Sequence, residues 1–89
     1  MIEKTVTIKN KLGLHARAAV KFVNLANRFS ATVRIEKDGN AIEGKSILGI
    51  LTLAATQGSR VRLVVAGRDQ EAALQALVDL INNRFDEKE

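Results

Sequence analysis

Apolar and polar residues alternate along the first stretch of the chain. Ile2, Val6 and Ile8 fall on one side and Glu3, Thr5, Thr7 and Lys9 on the other, with Lys4 out of pattern at the edge. A period of two is that of a half-buried strand. Asn10-Lys11 is polar, Gly13 can turn the chain, and a helical period then begins. Ala16, Ala19, Val20, Val23 and Ala26 make a stripe that Phe22 and Phe29 widen, which predicts a helix from about Ala16 to Asn27. Its alanines allow close packing on a sheet. Alternation returns over Ala31 to Lys37, with Val33 and Ile35 on one face. Asp38-Gly39 is a two-residue hairpin signal, and Asn40 to Glu43 reads as the return strand. Ser46 is placed to cap a short helix from Ile47 to about Leu53, which Gly49 weakens and Gln57-Gly58-Ser59 ends. The last strand carries Val61, Leu63 and Val65 on one face against Arg60, Arg62 and Val64 on the other. In the final helix Ala73, Leu77, Ile81 and Phe85 recur every four residues, and Asp69 and Glu71 stand near its N-terminus, where negative charge is favourable. The tail from Asp86 to Glu89 is charged and is expected to fray.

The order is therefore β-α-β-β-α-β-α. The second face of the strands holds Glu3, Thr5, Thr7, Arg34, Glu36, Arg60 and Arg62, which suits water. An α/β (α+β) open-faced two-layer sandwich follows, one sheet with three helices on one side only. The apolar set forms one shared core, so residues 1–89 are expected to be a single domain.

Composition narrows the chemistry. With no cysteine there is no disulfide framework or thiol site, and a single histidine makes a zinc cluster a poor reading. No run approaches the roughly 18 apolar residues of a membrane span, and the first residues do not resemble a signal sequence, so the cytoplasm is the expected location. The net charge of +4 is spread among acidic residues. Glu3, Glu36 and Glu43 interrupt any continuous positive face, and Trp and Tyr are absent from any stacking platform, which argues against nucleic acid. An acidic protein partner accounts for the surplus equally well.

The candidate chemistry lies at Gly13-Leu14-His15-Ala16-Arg17-Ala18-Ala19. The one histidine falls where a strand and loop hand over to a helix N-terminus, where backbone N–H groups lack partners and anions bind well. A lone histidine in a small protein is often merely structural. Here it precedes the apolar stripe instead of lying in it, and Arg17 is the planar, permanently charged side chain that suits a phosphoryl group. A neutral imidazole can itself be the covalent nucleophile. The N–H groups of Arg17 and Ala18 could steady the phosphoryl oxygens, and exposure would let one nitrogen meet first a donor and then an acceptor. Ser46 has two readings, a helix cap or a regulatory phosphorylation site that adds charge at a helix start. Ile47 and Leu48 cannot both point inward on so short a helix. With Leu51 they could form an apolar docking spot rimmed by Arg17, Lys21 and Lys45.

Three motifs, Lys11-Leu12-Gly13-Leu14-His15-Ala16-Arg17, Lys45-Ser46-Ile47-Leu48-Gly49 and Gln57-Gly58-Ser59, occur at this spacing in a chain of this length. On them the chain, over residues 2 to 86, resembles the HPr family, the histidine-containing phosphocarriers of the bacterial phosphoenolpyruvate-dependent phosphotransferase system. The resemblance implies a sheet order of 1-4-2-3 with antiparallel neighbours. It implies that His15 accepts a phosphoryl group on Nδ1 from enzyme I, that Arg17 supports the transfer, and that IIA proteins or domains receive the group in sugar uptake and regulation. It implies that an HPr kinase/phosphorylase could modify Ser46, and that Ile47, Leu48 and Leu51 belong to the surface that docks enzyme I and the IIA proteins; Leu14, Lys21 and Lys45 are expected to complete that docking surface. A monomeric carrier with no cofactor, no metal and no small-molecule turnover of its own is expected. Many family members have proline after the arginine, where this chain has Ala18. That departure fits a paralogue of the nitrogen-related regulatory branch, while Ser46-Ile47-Leu48-Gly49 leans toward a carrier that the kinase recognises. An interaction domain that only keeps the fold and a basic nucleic-acid-binding domain are the remaining, remote alternatives.

Overall fold

The computed structural model describes residues 1–88. The elements run β1 Ile2–Thr7, α1 Ala16–Ala26, β2 Thr32–Lys37, β3 Asn40–Glu43, α2 Ile47–Thr52, β4 Arg60–Ala66 and α3 Gln70–Asn82, and a short 3₁₀ turn follows at Arg84–Asp86. The four strands form one sheet in the order β1-β4-β2-β3, antiparallel throughout. β4 is central because it is the strand with the longest unbroken apolar character: Val61, Leu63 and Val65 are fully buried and Val64 nearly so. β1 and β2 both run against β4, so the α1 crossover joins two parallel strands with β4 between them. This connection brings the chain off the end of β1 and into α1 over the covered face of the sheet.

The hairpin at Asp38-Gly39 forms as its sequence requires. Lys37 pairs with Asn40, and Asp38 and Gly39 take φ of 52° and 83°, the left-handed pair that matches the twist of the strands. α1, α2 and α3 cover one face. Beneath them one core joins Ile8, Phe22, Ile35, Ile50, Leu63, Leu77, Ile81 and Phe85, all fully buried. The other face carries exposed charge, and Arg62 bonds Glu36 and lies 3.7 Å from Glu3. Those pairings break up any positive surface on the sheet.

Several expectations need correction. α1 is rotated from the stripe expected for it. Ala18, Ala19, Phe22, Val23 and Ala26 are buried, while Ala16 is exposed and Val20 is 40% exposed. The bulk of Phe22 decides this: putting its ring in the core gains more apolar burial than Val20 would. Asp69 stands at the N-terminus of α3 as expected, as its N-cap residue, but its side chain makes no cap bond there. Its carboxylate accepts from the N–H groups of Ser30 (2.9 Å) and Ala31 (2.8 Å), leading into β2. The Ser30 bond above all holds it below the usual aspartate range, against a smaller opposing effect of burial. The final helix stops at Asn82 and does not reach Phe85. Arg84, Phe85 and Asp86 then take φ of 56°, 53° and 63°, and the N–H groups of Asp86 and Glu87 bond the carbonyls of Asn83 and Arg84. This left-handed turn reverses the chain and buries Phe85, so the tail is packed through Glu87 where fraying was expected. Glu89, the last residue of that tail, lies outside the described residues.

Candidate functional site

The loop before α1 is tied down at each step. Asn10 is fully buried, and its amide donates to the Gly13 carbonyl at 2.7 Å. Gly13 has φ of +68°, and a Cβ there would stand 2.4 Å from the Ala55 carbonyl oxygen. Glycine is therefore required both by conformation and by space. The Leu14 N–H bonds that same carbonyl at 2.8 Å, and the Leu14 side chain enters the core at 4% exposure. With Leu14 anchored, His15 adopts extended φ/ψ (−80°, 179°) as the N-cap residue of α1. Its carbonyl takes the first helical bond, from Ala19, and its side chain makes no cap. The imidazole is left free to face outward, beside the first N–H groups of the helix.

His15 is about one-quarter exposed, and its Nε2 lies 2.5 Å from Oε2 of Glu87. The other carboxylate oxygen of Glu87 accepts from the Asn10 amide at 3.0 Å. Burial pushes the Glu87 carboxyl up, but the bonds from Asn10 and His15, with the charges of His15 and Arg17, outweigh it. The group is held below the usual glutamate range. Nδ1 has no hydrogen-bond partner among the described residues, and Arg17 likewise makes no hydrogen bond or ion pair among them. Lys11, Leu12, His15, Ala16, Arg17, Glu87 and Lys88 line a surface depression of about 720 Å³. Three cationic side chains and a histidine around one opening suit a small anion such as a phosphoryl group.

His15 and Arg17 are thus brought together. The remaining site residues divide. Ser46 caps α2, its hydroxyl oxygen accepting from the Gly49 N–H at 3.1 Å. Ile47, Leu48 and Leu51 are all exposed on α2, Leu48 most at 77%, and α2 packs on α1. Leu14 is buried, so it anchors the loop and cannot face a partner. Lys45 does not rim one spot with Arg17, whereas Lys21 stands one turn along α1 from it. The Lys21 ammonium donates to the Phe85 carbonyl at 2.8 Å, and that of Lys45 to the Phe29 carbonyl at 2.9 Å. Phe29 lies beyond the far end of α1, which is about 16 Å long at 1.5 Å per residue. Sequence reasoning missed Asn10 and Glu87. The bonding of Asn10 to the turn had a local signal, an asparagine opening a loop that closes on glycine. Glu87 had none, lying 72 residues from His15.

Among the described residues no group of side chains could hold a metal ion, and no helix is long and apolar enough to cross a membrane. Residues 2–83 match the family model described as the phosphorylation site of the HPr component of the PTS. The chain is 51% identical over 85 residues to the phosphocarrier protein HPr of Pseudomonas aeruginosa, covering 94% of each chain. It is 46% identical over 89 residues to that of Cupriavidus necator, covering all of both. Its fold is similar to the crystal structure of HPr-C-His from Thermoanaerobacter tengcongensis, with a TM-score of 0.96 at 48% identity over the whole of both chains. By sequence, by fold and by a histidine held at the start of α1, the chain belongs to the HPr family of phosphocarriers.

Proposed function

We propose that His15 is the phosphoryl acceptor through Nδ1, taking the group from phosphorylated enzyme I and passing it to IIA proteins or domains. One observation carries this reading. The imidazole opens into a depression with Nδ1 unengaged, next to an Arg17 guanidinium that has no ion pair or hydrogen bond among the described residues. Arg17 meets the oxygens of the transferring group where negative charge gathers, and the unpartnered N–H groups at the start of α1 add to that effect. The exposed Ile47, Leu48 and Leu51 serve as an apolar docking patch. The carrier works in the cytoplasm as a monomer.

Ser46 is the regulatory position, modified by an HPr kinase/phosphorylase. Its hydroxyl already caps α2, so a phosphate keeps an acceptor there while adding about 1.5 to 2 negative charges beside Ile47 and Leu48. Incubation with enzyme I, phosphoenolpyruvate and Mg²⁺, followed by intact-mass measurement, tests the main reading. One acid-labile phosphoryl group is expected on the parent chain and none on His15→Ala. A parent chain that gains nothing from its own organism's enzyme I would overturn it.

A further inference from the structure

Glu87 reaches His15 by a route that the fold holds in place at several points. Phe85 is fully buried, its carbonyl is held by the Lys21 ammonium, and three successive residues without glycine adopt left-handed backbone. Such conformations persist only where surrounding contacts over-determine them. The carboxylate at the end of this turn is engaged through both oxygens, one by the buried Asn10 amide and one by Nε2 of His15. Asn10 in turn is fixed to the Gly13 carbonyl in the loop that presents the histidine. One amide therefore sets the position of the carboxylate relative to the ring.

We propose that Glu87 is a positioning residue for phosphoryl transfer at His15: its carboxylate holds the Nε2 proton, turns Nδ1 toward the incoming phosphorus and balances the charge that the ring gains. This rests on the reading of Nδ1 as the acceptor. In the first step the Nδ1 lone pair forms the N–P bond. The donor's bond to phosphorus breaks, and its electron pair stays with the donor atom that carried the group. Nε2 keeps its proton, so the neutral imidazole becomes a cationic ring beside the Glu87 carboxylate. In the second step the acceptor's nucleophilic atom attacks phosphorus, the Nδ1–P bond breaks with its pair returning to Nδ1, and the ring is neutral again. No proton leaves Nε2 in either direction. The carboxylate lies at the opposite ring nitrogen from the phosphoryl group, whose oxygens are left to Arg17 at the depression. Because the ring is more positive in the transition state than before it, the contact with Glu87 strengthens as the reaction proceeds. It acts on the rate at saturation more than on donor binding.

Glu87→Ala and Glu87→Gln in the full chain test this by two readouts. In ¹⁵N-histidine-labelled protein, the parent is expected to show a protected, strongly downfield Nε2–H proton. That proton should be lost in Glu87→Ala and move upfield in Glu87→Gln. Phosphoryl uptake from phosphorylated enzyme I should slow about tenfold at saturating donor in Glu87→Ala, with KM changed less than about twofold, since a charge-assisted bond is at stake. Glu87→Gln, which keeps an acceptor without the charge, should fall between. An unaltered Nε2–H signal, or a saturated rate within about twofold of the parent in both variants, would overturn the proposal. A parent chain that shows the Nε2–H signal but takes up no phosphoryl group would overturn the acceptor reading beneath it, leaving the contact itself established.

Discussion

Replacing Gly13 by alanine probes the loop that sets His15, and the structure fixes the size of the effect. Two costs arise. The residue has φ of +68°, a left-handed conformation that costs an alanine about 1–2 kcal/mol. Its Cβ would also lie 2.4 Å from the Ala55 carbonyl oxygen and 2.9 Å from the Thr56 Cα, both backbone atoms that cannot swing aside. Forcing them apart adds about 1–3 kcal/mol, as for other overpacked sites. The expected loss is about 2–5 kcal/mol, against a total stability of roughly 4–13 kcal/mol for a chain of this size. At about 4–8 °C per kcal/mol the melting temperature should fall by at least about 8 °C. Gly58→Ala is the control, since Gly58 also has positive φ (+90°) but nothing within 4 Å of the point where a Cβ would stand, so only the conformational cost applies. Urea unfolding followed by circular dichroism measures both. The Ala55 carbonyl also accepts the Leu14 N–H, so Gly13→Ala should slow phosphoryl uptake even in molecules that stay folded. A Gly13→Ala loss no larger than that of Gly58→Ala would refute the steric argument.

Three other substitutions follow from the same contacts. Ser46→Ala removes the acceptor for the Gly49 N–H and should cost about 1 kcal/mol, measured by the same unfolding, while abolishing modification by an HPr kinase supplied with ATP. Leu48→Asp alters a side chain that is 77% exposed, so stability should stay within about 0.5 kcal/mol of the parent. Affinity for enzyme I, measured by calorimetry, should weaken at least about fivefold. The Asp69 carboxyl is held below its ordinary range, first by the Ser30 N–H, so the folded state binds this proton less readily than the unfolded chain does. The stability it contributes is complete above the unfolded value of about 3.9 and is lost as pH falls through the lower folded value. Asp69→Asn should therefore lower the melting temperature at pH 7 and flatten its decline below about pH 4.

Much of the fold is legible in the residues because local chemistry and tertiary packing agree. Asp38-Gly39 turns where its backbone preference says it should, and Ser46 caps the helix that Gly49 weakens. The central strand announces itself by Val61, Leu63 and Val65. What the sequence conceals is set by competition across the fold. The rotation of α1 depends on which of Val20 and Phe22 wins the core, and periodicity alone does not rank them. Asp69 prefers two N–H groups leading into β2 to the end of its own helix, and that choice exists only once the elements are assembled. At the site, His15 and Arg17 are visible as a pair two residues apart. Asn10 and Glu87 become part of it only because a left-handed turn after Asn83 brings the end of the chain back across α1.

The central claim is that the phosphoryl group resides on Nδ1 of His15, and ³¹P–¹⁵N coupling in the phosphorylated, ¹⁵N-histidine-labelled chain tests it most directly. The account predicts one phosphorus signal coupled to Nδ1, with a proton still on Nε2 beside Glu87. Coupling to Nε2 would contradict it, because Glu87 would then occupy the very position of the phosphoryl group.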